Sequence, residues 1–69
     1  MDLADWKLFW SDLLNRGSEM CTPCSTLEAA LWTACHAPAT EPPLRIEGPS
    51  GEMIPEAEIR QYCRSQTCR

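Results

Sequence analysis

Apolar and polar positions along the chain group into four stretches, and each predicts an element. In the first, Leu3, Trp6, Phe9, Trp10, Leu13 and Leu14 fall on one arc of about 140° when wound as a helix. The spacing predicts a helix over 3–16. Asp2 or Asp5 would cap it, Asp12 and Arg16 would form an i,i+4 pair, and Gly17 would stop it. Leu8 falls in the middle of the polar side, among Asp5, Ser11, Asp12, Asn15 and Arg16. If that helix has a second, binding face, Leu8 is its centre.

The second stretch predicts a helix over 25–37. Ser25-Thr26-Leu27-Glu28 has the form of a capping box, with Ser25 accepting from the Glu28 amide. Thr22 followed by Pro23 is the alternative start. Leu27, Leu31, Ala34 and Cys35 make the buried stripe, with Ala30 alongside, and Trp32 points about a third of a turn away. Pro38 ends this helix and opens a stiff connector over 38–43.

In the third stretch, Leu44-Arg45-Ile46-Glu47 alternates with period two, Gly48-Pro49-Ser50-Gly51 has turn chemistry, and Glu52-Met53-Ile54 returns. This predicts a hairpin over 44–54. The last stretch predicts a helix over 55–66, with Pro55 first, Glu56 and Glu58 in the first turn, and Ile59, Tyr62 and Cys63 inward. The expected fold is a small α+β domain spanning 1–69, in the order helix, helix, β-hairpin, helix.

Length limits what such a fold can do. Sixty-nine residues leave no room for a nucleotide-binding sheet with its own substrate domain. A chain this short buries only about 60% of its unfolded surface, so its core is marginal and profits from a staple.

Charge narrows the partners. The net charge is −4, unevenly spread. Residues 1–58 hold all ten acids against Lys7, Arg16 and Arg45, for −7, while Arg60, Arg64 and Arg69 give the remainder +3. Phosphate binding draws on clustered cations, so the acidic body argues against general nucleic-acid binding. It suits a partner protein with a basic surface. No apolar stretch is long enough to span a bilayer. Residues 1–7 lack the basic and apolar regions of a signal peptide, so a cytoplasmic location is expected.

Five cysteines in a chain this short are the main chemical signal. Cys21-Thr22-Pro23-Cys24 has spacing that lets two sulfurs share a metal ion or close a redox disulfide. In the zinc reading, Cys21 and Cys24 join Cys63 and Cys68 around one structural Zn2+, with Cys35 and His36 as alternative ligands. In the redox reading, a helix start beside Cys24 activates its thiolate. The tetrapeptide is similar to the Cys-x-Pro-Cys of thioredoxin-type proteins, whose motif follows a strand, whereas here a helix is expected before it. In the third reading one or two disulfides staple the chain, with the pairing open. In the fourth, buried thiols act as small hydrophobes, a role that fits Cys35 and Cys63 on their stripes.

Nothing else supports catalysis. His36, the one histidine, sits where a cation complements a helix C-terminus. No nucleophile–base–acid set can be assembled around it. Trp6, Trp10 and Leu13 have the i, i+4, i+7 spacing of a helix docking in a groove, although the same stripe also suits a core or a homodimer contact.

The expected function is therefore a small acidic protein-binding regulator or inhibitor, without enzyme activity, contacting its partner through Trp6, Leu8, Trp10 and Trp32. Proteins of this size class are common among regulators carried by phages and mobile elements. The alternatives are a zinc-stabilised nucleic-acid module using Arg60, Arg64 and Arg69, and a small dithiol oxidoreductase.

Overall fold

The computed structural model describes residues 5–67. The chain forms two hairpins, each followed by a helix. Strands β1 (Trp6–Asp12) and β2 (Ser18–Cys24) precede helix α1 (Leu27–Cys35), and strands β3 (Pro43–Glu47) and β4 (Met53–Pro55) precede helix α2 (Glu56–Thr67). All strand pairs are antiparallel, in the spatial order β2-β1-β3-β4. The expected α+β class holds. The expected element order does not: the first segment is a hairpin, not a helix.

The reason lies in a second period within the same residues. Trp6, Leu8 and Trp10 alternate with Lys7, Phe9 and Ser11, and Trp and Phe favour strands. A strand here pairs on both sides, with β2 and with β3. Leu8 lies opposite Thr22 on one side and Ile46 on the other, and Ile46 lies opposite Ile54. This row crosses the middle of the face that the helices cover. Leu8 is thus only 2% exposed, the reverse of the outward position expected for it.

The turn between β1 and β2 is closed by its own side chains. Asp12 Oδ1 accepts from the Leu14 amide at 3.1 Å, and Ser18 Oγ donates to the Asn15 carbonyl at 2.8 Å. Arg16 and Gly17 follow at φ 60° and 74°. Gly17, expected to stop a helix, instead supplies the left-handed residue that returns the hairpin.

Helix α1 starts one residue later than the proposed capping box implies. Thr26 Oγ1, not Ser25, accepts from the Ala29 amide, at 3.0 Å. Ala30, Leu31 and Ala34 are buried, as the stripe predicted. After the helix the connector rejoins the sheet margin, where the Leu13 and Ser11 amides donate to the Thr40 and Pro42 carbonyls.

The second half follows its sequence pattern closely. Gly48 donates to the Glu52 carbonyl at 2.9 Å and closes the β3–β4 turn. The Trp6 ring lies across Gly48, where a Cβ would sit 2.7 and 2.9 Å from ring carbons. Only glycine fits beneath that indole. Helix α2 begins at Glu56, after Pro55 has ended β4, so Pro55 is a strand residue and not the first helical one.

The core comprises Leu8, Cys24, Ala30, Leu31, Ala34, Ile46 and Ile59. Both helices lie on one face of the sheet. Both outer strands, β2 and β4, contain a proline, Pro23 and Pro55.

Candidate functional site: the cysteines and the exposed aromatic pair

Strand geometry separates the two cysteines of the Cys-x-x-Cys motif. Side chains alternate between the faces of a sheet, so residues three apart project from opposite faces, roughly 10 Å apart along the strand. Cys21 lies opposite Phe9 on the open face and is exposed, while Cys24 lies opposite Trp6 and is buried beneath the helices. Burial pushes the Cys24 thiol above its ordinary pKa. A hydrogen bond with Thr33 opposes this, and the neighbouring Cys21 thiol adds a small further rise. An activated nucleophile needs the opposite shift. The motif lies in strand β2 and stops two residues short of α1.

Cys35 and Cys63 are joined as a disulfide, with a sulfur–sulfur distance of 2.06 Å and Cα atoms 5.4 Å apart. The bond ties the last residue of α1 to the middle of α2. The two cysteines lie on the apolar stripes where the sequence placed them, as bonded sulfurs and not as separate thiols. The proposed zinc set is therefore not assembled among the described residues. Cys21 and Cys24 diverge, Cys63 is bonded to Cys35, and Cys68 lies outside the described residues. Among the described residues no group of three or more His, Cys, Asp or Glu side chains is placed to hold a metal ion.

The residues expected to meet a partner divide sharply. Leu8 is core. Trp6 is half-buried over Gly48, and Trp10 packs against the core while its indole Nε1 donates to Thr22 Oγ1 at 2.9 Å. Trp32 stands apart, 61% exposed on the outer side of α1. His36 stacks on it with ring centroids 4.1 Å apart and planes 20° from parallel. The His36 Nδ1–H donates to the Trp32 carbonyl at 2.8 Å, which fixes the imidazole against the indole. An aromatic pair is thus held rigidly on the surface, one turn apart on a helix.

The open face of the sheet carries a cluster that the sequence reading missed. The Arg45 guanidinium lies 4.2 Å from the Phe9 ring centroid and pairs with Glu19 at 3.0 Å and Glu47 at 2.7 Å. Glu19, then Glu47, holds Arg45 above its already high ordinary pKa. Residues 9, 19 and 45 lie in three different strands, so no local motif announces them. The signal is the cross-strand register, legible only once β1 is known to be a strand. Of the three C-terminal arginines, Arg60 pairs with Glu56 at 2.6 Å, and Arg69 lies outside the described residues.

Fold and surface together define a two-layer α+β protein with a disulfide between its helices. Compared with models of protein families, with curated proteins and with solved structures, the chain matches none.

Proposed function

We propose that this chain binds another protein and alters its activity, with the Trp32–His36 pair as the anchoring contact. Trp32 carries the reading. A tryptophan left 61% exposed, yet already fixed by stacking, loses little conformational entropy when a partner covers it. Tryptophan is also among the side chains most enriched where binding energy concentrates. The partner offers a basic surface, since residues 1–58 carry −7 and exposed Glu28 lies one turn before Trp32 on α1.

The test has two stages. Proteins captured by the tagged chain from its host are identified, purified and titrated against the free chain. The expected result is direct binding that weakens at least tenfold with Trp32→Ala, keeps its strength with Met53→Ala, and weakens with added salt. Met53 is the control because it is similarly exposed but lies on the β4 edge strand. Equal affinities for Trp32→Ala and the parent chain would remove Trp32 as the anchor. Turnover of a small substrate by the purified chain would remove the reading altogether.

A further inference from the structure

The two helices bury different numbers of side chains among the residues whose burial is described. Helix α1 buries Ala30, Leu31 and Ala34, with Leu27 packed alongside. Helix α2, although longer, has Ile59 as its one buried side chain among the residues whose burial is described, with Tyr62 and Cys63 only partly covered. Its remaining described positions include Glu58, Arg60, Gln61, Arg64 and Ser65, all exposed. A helix of 12 residues is marginal alone in water. The Cys35–Cys63 bond adds a covalent tie between α2, which has fewer buried side chains, and α1.

The bond is also open to exchange. Cys35 and Cys63 are both only partly buried, which places the bond at the margin of the core, where exchange requires a thiolate to reach one of the two sulfurs. Neither free thiol among the described residues competes well from within the fold. Cys24 is buried with its pKa raised, and Cys21 faces the other side of the sheet.

We propose that Cys35–Cys63 is a redox latch on α2. The reductant is a small-molecule thiol of the glutathione class. Its thiolate attacks one sulfur and forms a mixed disulfide, releasing the other cysteine as a thiolate that takes up a proton. A second thiol then displaces the first. One disulfide of the protein becomes two cysteine thiols, and two reductant thiols become one reductant disulfide. Released from α1, α2 lifts from β3 and β4 and uncovers Ile46, Ile54 and Ile59, an apolar surface closed in the oxidised form. The first hairpin and α1 stay folded on Leu8, Leu31 and Ala34. The latch is independent of the Trp32 contact, which lies on the outer side of α1.

Hydrogen exchange of the full-length chain, read by mass spectrometry in glutathione buffers of graded poise, tests this. Peptide mapping with differential alkylation assigns the thiols. The expected result is loss of the Cys35–Cys63 cross-link on reduction, with exchange across 56–67 at least tenfold faster and exchange in β1 and α1 changed less than twofold. The same pattern is expected in a Cys35→Ala, Cys63→Ala double variant without reductant. If that variant does not fold, the reduction of the parent chain decides alone. Unchanged exchange in α2 after reduction overturns the latch. So does loss of protection in every element together, which makes the bond a global staple, and so does a cross-link mapped to other cysteines.

Discussion

The molecule is built from two hairpin–helix halves that solve the same problem differently. The first uses long strands of seven residues and a short helix that buries three side chains. The second uses strands of five and three residues and a twelve-residue helix that buries one among the residues whose burial is described, Ile59. The first helix buries more side chains, yet two of the three largest fully buried ones, Ile46 and Ile59, belong to the second half, and the covalent link ties the second helix to the first. A bridge across 28 residues of sequence is worth about 3–4 kcal/mol in a chain-entropy account, comparable to the burial of one or two large apolar side chains.

That contrast can be broken most severely in the shared core. Leu8→Ala and Ile59→Ala are each expected to cost about 2–5 kcal/mol, as large-to-small changes at fully packed sites do. Denaturant unfolding of the oxidised chain should remain a single transition in both variants. Two separated transitions would mean that the halves do not share a core. Gly48→Ala comes next, at about 1–3 kcal/mol, because a methyl group there must displace the Trp6 ring that bridges the two halves. Thermal melting that matches the parent would show that the indole moves aside freely. At the start of α1, Thr26→Ala should cost about 1 kcal/mol and Ser25→Ala less than about 0.5, and the reverse order would restore Ser25 as the cap.

The smallest effect concerns the thiols of the first half. Folded Cys24 keeps its proton to higher pH than it does in the unfolded chain. Its contribution to stability is therefore complete at neutral pH and declines as pH rises past the ordinary value of 9.0 toward the raised folded one. Cys24→Ala should lower stability at pH 7 yet flatten the decline between pH 8 and 10, measured by urea unfolding. In native alkylation at pH 8, Cys21 should react at least tenfold faster than Cys24. Comparable rates would contradict their placement on opposite faces.

The second half was largely legible because its local signals agree with its tertiary setting. Arg45 and Ile46 alternate, Gly48 to Gly51 turn, and Ile59, Tyr62 and Cys63 repeat at helical spacing. In the first half two periods coexist. Trp6, Phe9, Trp10 and Leu13 satisfy a helix, and Trp6, Leu8 and Trp10 satisfy a strand. Phe9 tips the pattern toward a helix because it looks like a core residue. It occupies the open face, and its partner there is Arg45, 36 positions away. Long-range pairing on both sides of β1 settles the conflict, and no local count contains it. The same ambiguity turns Leu8 outward when it is core, and sets a helix before the Cys21–Cys24 motif where a strand runs. The outward turn of Trp32 from the α1 stripe follows from helical spacing alone, and Trp32 is exposed.

Pro23 and Pro55 have a consequence for how this protein meets its surroundings. Each sits in an outermost strand, where a missing amide hydrogen interrupts the row of donors that a visiting strand would need. The margins of the sheet are poor templates for extension by another backbone, which protects a small chain from fibrillar self-association. Under the proposed binding role, recognition falls to side chains, so a partner reads shape and charge and not peptide-bond pattern.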